Sequence, residues 1–471
     1  MRNHAIITIN YILIKRLSLI IFAGFIIRII FLLFFSVDFY GRNNIYVDGD
    51  TYNWAQSFQN LIETGSYTIN QSHEYGFFGR MPGYSFFLGI FWLIIGNWDS
   101  VYPVVALVQM ILDVVAIWLV YKTAMNVFNH KTTALISSSL YAFYPFIIVW
   151  NPVCYSESVS VFLMIASLYF LTKKTNKSIF ISGVFLGVGI LFRPQLLFLV
   201  PLFSIAVIFI SKKTIPISLV LFIMAITITY GLWPIRNYLL HKKLILTQDL
   251  RGINNWDTDV LSFMQYTYSV KAEWEPQFSS IIYNSETEWP KESYRTKNDS
   301  LLLDYAVSLS KNCGFGFSHW KGYWKKPLKK CESCSEQIAA IYNHLRNNQI
   351  LYNSYNYWII VPINNFKKAV FKSSLNKNDT TVKKLASLLF YLRSFLIICG
   401  LVGIILMLKK RNYYSLIFAS FLILLYFSLC IGTSPQMRNI EIRYFLHADI
   451  LLLFPAAYLF SITYKKFQRK R

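Results

Sequence analysis

Two aspartates and an arginine stand where apolar runs of this chain begin and end. The stretch "YVDGDTYNWAQSFQNLIETG" places Asp48 and Asp50 just after the first long apolar run, and "GRMPGYSFF" places Arg80 just before the next. A carboxylate partly withdrawn from water holds a proton more tightly and can act as a base. A guanidinium at headgroup depth suits a phosphate, because its planar fork can meet two oxygens at once. Glu157 lies in "WNPVCYSESVSVF", at the start of a further apolar run. An ionisable group there is costly and usually has a partner. Arg193 closes "GVGILFRPQ", and Arg443 lies in a polar loop over 431–445 with Arg438 and Glu441. Together these groups suggest acid–base chemistry on a negatively charged lipid headgroup. The plainer readings are a solvated loop carboxylate and arginines that snorkel at helix ends.

The two aspartates differ in what else could explain them. Tyr52, Trp54, Ala55, Phe58 and Leu61 recur at helical spacing, which predicts a helix from Thr51 to Leu61 ended by a left-handed Gly65. Asp50 then falls where an N-cap belongs, so capping explains it as well as catalysis does. Asp48 precedes the helix and has no such duty.

These groups must be positioned by membrane helices. The chain has 471 residues, 55% of them hydrophobic, and several runs near 20 residues long lack charge. The net charge of +23 does not indicate nucleic acid, because the basic residues sit in short clusters between apolar runs. Nearly all those clusters fall on one side if the spans are 17–37, 102–121, 132–150, 156–172, 177–192, 195–211, 216–235, 387–408, 413–430 and 446–464. The expected fold is therefore an all-α polytopic membrane protein with about ten transmembrane helices and both termini inside. The first run is read as a retained helix rather than a cleaved signal. The run 83–96 is short for a span and is read as re-entrant or interfacial.

Three parts follow: an N-terminal transmembrane module over 1–235 with an outside loop at 38–101, a long outside segment over 236–385, and C-terminal transmembrane helices over 386–471. The long segment contains an amphipathic stretch near 299–311 and "YNYWIIVPINNF", which suits a membrane interface. It also holds Cys313, Cys331 and Cys334, two of which can pair if the segment faces an oxidising compartment. The lone CxxC at Cys331 and Cys334 is weak grounds for zinc. No internal repeat supports an inverted-repeat transporter.

In order, Asp48 with Tyr52 and Ala55, "RMPGYSFF", the proline turn with Glu157, "GVGILFRP", "LWPIRNY" and "IRYFLHAD" resemble the GT-C membrane glycosyltransferases, in particular glycosyltransferase family 39. In the last motif no proline closely follows Arg443-Tyr444, where the family tends to have one. The resemblance implies a transferase on the outer face of a bacterial cytoplasmic membrane, with juxtamembrane helices in its first outside loop. It implies a polyprenyl-phosphate-linked sugar as donor and a protein, lipid or glycan as acceptor. By spacing to Tyr52, it implies that Asp48 is the base and that a single displacement inverts the anomeric carbon. Asp50 and Glu157 complete the catalytic set; Arg80, Arg193 and Arg443 are the donor-phosphate set. The resemblance fixes no cofactor, and a divalent metal stays open. The rival readings are a transporter or flippase of lipid-linked glycans, and a glycan polymerase or ligase.

Overall fold

The computed structural model describes residues 2–211, 215–253, 257–270, 289–319, 328–372, 381–432 and 441–468. Helices and turns make up the described residues, with no strand among them. Four described helices are long and apolar enough to cross a bilayer: Ile14–Tyr40, Trp98–Phe128, Thr381–Lys409 and Ile442–Gln468. A fifth is added if Ile215–Thr229 and Leu232–His241, bent by 47°, count as one span. Shorter apolar helices at Ser156–Thr172, Asn176–Phe192, Pro194–Ile210 and Tyr414–Cys430 occupy four more of the expected stretches.

The stretch 132–150 departs from expectation. It is a helix at Lys131–Ala142, a break, and a short turn at Pro145–Ile148. The break is local: Tyr144 precedes a proline, whose ring disfavours helical backbone before it, and Tyr144 is extended. The short run near 83–96 is a helix, Pro82–Ile95, ended by left-handed Gly96. Its 14 residues rise about 21 Å, too short to span the ~30 Å hydrocarbon core upright.

The helices run so that the basic turns gather at one end. Asn126 donates to Thr172 at 2.9 Å, Thr133 to Ser461 at 2.8 Å, and Asn412 to the Val127 carbonyl at 3.3 Å. Ser218 donates to Asn176 at 2.7 Å at the same end. The acidic residues of interest start or precede helices at the opposite end.

Two pairs of charges are buried among the apolar helices. Arg28 meets Asp113 at 2.6 Å and donates to the Gly24 and Ala142 carbonyls, while Tyr141 donates to Asp113. A second pair, Arg393–Asp449 at 2.6 Å, also takes hydroxyls from Tyr144 and Tyr426. Each is satisfied by fixed protein partners and ties helices together, rather than standing free in a pathway as transporter groups do.

The long segment builds its own small core. Thr258–Val270, Lys297–Cys313 and Glu332–Tyr352 pack around Phe263, Tyr266, Phe317, Ile338 and Tyr342. Thr296 and Asp299 form a capping box at the start of the amphipathic helix. Cys313 and Cys334 are joined in a disulfide, which leaves Cys331 exposed and breaks up the CxxC as a metal site. The bridge closes 21 residues. Cys313→Ser is expected to destabilise this segment by about 3 kcal/mol, read as a lower unfolding midpoint of the purified protein. An unchanged midpoint would show that the bridge does not hold the helices together. Residues 355–366 include exposed Tyr355, Trp358, Ile359, Ile363 and Phe366.

Candidate active site

The first loop is organised by a helix, Gly49–Thr64, and its cap corrects the reading of the aspartate pair. Asp48, not Asp50, is the N-cap: its side chain accepts from the Gly49 amide at 2.8 Å, and the Asp48 amide donates to the Thr51 hydroxyl to close a capping box. The helix begins two residues earlier than its apolar spacing suggests, because Gly49 and Asp50 already have helical backbone. Asp48 is also paired with Arg42 at 3.0 Å, and its side chain is 51% exposed. Gly65 ends the helix in the left-handed conformation, as its type predicts. Tyr52 is 60% exposed, so the tyrosine of the motif points away, and Trp54, Ala55 and Phe58 form the buried face.

Asp50, freed from capping, lies among arginines. Arg80 is in contact with its Oδ1, and Arg443 reaches its Oδ2 at 3.0 Å. Burial disfavours the charged carboxylate, but Arg80, Arg443 and Arg193 together outweigh it and hold the Asp50 carboxyl well below the usual range. Arg193 in turn pairs with Glu157, whose side chain is fully buried. Residues distant in sequence thus form one chain of charge: Arg80, Asp50, Arg443 and, beside them, Arg193 and Glu157.

Aromatic rings hold the guanidiniums in place. Arg80 lies over Trp54 at 5.0 Å, Arg443 over Tyr444 at 4.9 Å and Tyr155 at 5.6 Å, and Arg193 over Tyr444 at 5.6 Å. Sequence reasoning missed these rings. The pairing of Arg443 with Tyr444 in "IRY" was their one visible signal. Arg80 Nε and Arg193 Nε are buried and make no hydrogen bond to the described residues. Each arginine therefore keeps one donor that the described residues do not use.

The scaffold explains why these groups meet. Thr51 donates to the Cys154 carbonyl at 3.0 Å, and the Cys154 amide donates to Tyr46 at 2.8 Å, tying the loop helix to the turn before Glu157. Gln109 donates to the Asn151 and Val153 carbonyls and accepts from Tyr84 at 2.6 Å, adding the short helix to the same knot. Gly83 lets that helix start against the end of Asn176–Phe192: a Cβ there would come within 2.7 Å of the Leu191 backbone. This contact brings Arg80 beside Arg193. Arg236 of "LWPIRNY" does not join the cluster. It donates to the Phe77 and Tyr67 carbonyls and so fixes the loop before Arg80.

A divalent cation fits this donor set poorly. Among the described residues no three His, Cys, Asp or Glu side chains come together, and Asp50 and Glu157 are each taken by guanidiniums. A cation placed there would face three arginines. Arg443 also pairs with Glu441 at 2.7 Å, so the three guanidiniums are shared among three carboxylates.

Residues 80–233 match the family model described as dolichyl-phosphate-mannose-protein mannosyltransferase. No curated protein sequence matches the chain. Its fold is similar to that of an oligosaccharyltransferase from Archaeoglobus fulgidus tethered by a disulfide to an acceptor peptide containing the NVT sequon. That match has 14% identity and a TM-score of 0.53, covering 98% of this chain and 50% of that one. The structure of AglB from the same organism, with an inhibitory peptide and a dolichol-phosphate, matches at 14% identity and a TM-score of 0.53, covering 98% and 51%. The chain spans about half the length of those proteins, and at this identity the likeness is one of fold. The chain is a multi-pass membrane protein whose described residues are helical and whose fold is similar to that of the oligosaccharyltransferase. Its family-model match covers the middle of the N-terminal helices, from Arg80 through Glu157 and Arg193 to Trp233.

Proposed function

We propose that this protein is an integral membrane glycosyltransferase that takes its sugar from a polyprenyl-phosphate-linked donor. The observation that carries the reading is Asp50 held between Arg80 and Arg443, with Arg193 beside it. It is supported by the match over 80–233 to a family described by its dolichyl-phosphate-mannose donor, and by the dolichol-phosphate bound to AglB.

In this mechanism the donor phosphodiester lies across the arginines. The acceptor hydroxyl or amine attacks the anomeric carbon as its bond to the phosphate oxygen breaks. The electron pair stays on the phosphate, whose added charge Arg80, Arg443 and Arg193 neutralise. The acceptor proton passes to Asp50 and from there to water. Attack opposite the leaving group by a single displacement inverts the anomeric carbon. Bound to arginines alone, Asp50 is a weak base. A phosphate that draws Arg80 and Arg443 toward itself raises the proton affinity of Asp50, so the donor activates the base. Asp48 serves the cap, and we assign the base to Asp50 in its place. Glu157 orients Arg193.

We place this site on the outer face of a bacterial cytoplasmic membrane, on the expectation of ten spans with both termini inside. The basic turns at the opposite helix ends support that orientation, and the Cys313–Cys334 bridge suits an oxidising compartment. Consumption of a labelled polyprenyl-phosphate sugar by the protein in nanodiscs tests the function, and no turnover and no donor binding would sink it. With the exposed Cys331 replaced by serine, a cysteine placed at Asn348, in the long segment, should react with an impermeant reagent added outside intact cells. Labelling only after the cytoplasmic side is opened would reverse the topology.

A further inference from the structure

Apart from the arginine cluster, a cavity of about 180 Å³ lies between the first loop and the long segment. Ser72 and His73 line it from the loop, and Arg251, Asp257, Phe315 and Lys330 from the segment. Asp257 is 8% exposed. Its Oδ1 accepts from the Thr258 amide at 2.8 Å and caps the helix that follows. Its Oδ2 is buried and has no hydrogen-bond partner among the described residues. A buried carboxylate oxygen left without a donor by the described residues is one that a ligand hydroxyl in the cavity can satisfy. Arg251 is pre-set on the same wall. Its Nε and Nη2 bond Asp249 at 3.0 and 2.6 Å, Nη1 takes no part in those bonds, and the guanidinium lies 3.8 Å from the Tyr75 ring centroid. Phe315 and Ile253 supply apolar surface.

The cavity adjoins the reaction site through one thin wall. The Asp249 amide donates to the Phe78 carbonyl at 2.9 Å. Gly252 lies so close to Gly79 that a Cβ on Gly252 would come within 2.8 Å of the Gly79 Cα. Arg80, which holds Asp50, is the next residue after Gly79.

We propose that this cavity binds one sugar ring of a glycan acceptor. The inference rests on the glycosyltransferase reading for the word acceptor, but not for the binding itself. The chemistry matches a ring of hydroxyls. Such a ring offers donors to Asp257 Oδ2 and acceptors to Arg251 and Lys330, and its C–H face can lie on Phe315. The volume, that of roughly six waters, suits one ring rather than an extended peptide. Few convergent polar groups on an apolar wall is how small-ligand sites are built.

The test is saturation-transfer NMR on the full chain in nanodiscs. The probes are the methyl glycosides of glucose, galactose, mannose, N-acetylglucosamine and N-acetylgalactosamine, with an Asn-containing tripeptide as control. At least one glycoside should receive saturation. Asp257→Asn, which keeps the helix cap, should weaken that binding roughly tenfold or more, and Ser72→Trp at the exposed mouth should abolish it. Asp50→Asn should leave it intact. Binding of labelled polyprenyl phosphate is measured in the same nanodiscs. Donor binding with no glycoside signal overturns the sugar site and leaves the transferase reading standing. Glycoside binding with no donor binding keeps the site and removes its role as acceptor subsite. Equal binding in wild type and both cavity variants, or saturation of the tripeptide alone, overturns the assignment.

Discussion

Asp50→Asn abolishes sugar transfer, by about 10²–10⁴-fold in kcat, while Asp48→Asn retains it. The contrast follows from what each carboxylate touches. Asp48 makes a capping box with Thr51 and a half-exposed ion pair with Arg42. Asn caps a helix as well as Asp does, so Asp48→Asn costs only a few tenths of a kcal/mol. Asp50 has both oxygens on arginines that we assign to the donor phosphate. Asn has the same shape but cannot take a proton from the acceptor. Because Asp50→Asn also releases Arg80 and Arg443 from their carboxylate, donor binding should be unchanged or tighter in this variant. The measurement is turnover and donor affinity for both variants. Transfer lost with Asp48→Asn and kept with Asp50→Asn would return the base to the loop residue.

The arginines that face the donor phosphate differ in what else they hold: Arg80 and Arg443 share Asp50, while Arg193 pairs with the buried Glu157. Arg80→Ala removes a charged hydrogen-bonding group worth roughly 1.5–3 kcal/mol, or about 10–100-fold in kcat/KM for the donor. Arg80→Lys should restore only part of this, since an ammonium lacks the planar fork and the stacking on Trp54. Arg193→Ala should behave differently. It leaves Glu157 charged and fully buried without a partner, a loss of about 3–5 kcal/mol that appears as reduced thermal stability. Glu157→Gln in that background removes the unpaired charge. The double variant should regain stability but not turnover. If Arg193→Ala alone is as stable as wild type, Glu157 does not depend on it. Full donor affinity in Arg80→Ala would remove Arg80 from the phosphate site.

How much of this was legible in the chain differs from residue to residue. The apolar runs located the membrane helices, because burial in lipid demands about 20 uncharged residues whatever lies around them. Gly65 and Gly96 marked helix ends through a local conformational preference that needs no tertiary partner. The charge of Arg80, Glu157, Arg193 and Arg443 at run ends was visible, and so was the cost of leaving such groups unpaired. Their pairing was not. Asp50 and Arg443 are separated by 393 positions, and only the packing of Ile442–Gln468 against the N-terminal helices brings them together. The division of labour between Asp48 and Asp50 depended on a helix starting two residues earlier, which is the usual margin of error in reading a boundary from apolar spacing. The buried pair Arg393–Asp449 was overlooked because each residue lies within an apolar run where nothing nearby names its partner. Local rules therefore determined the elements and the residue types at their ends. Which carboxylate faces which guanidinium was decided by long-range packing, since ion pairing depends on distance in space and the sequence carries distance only along the chain.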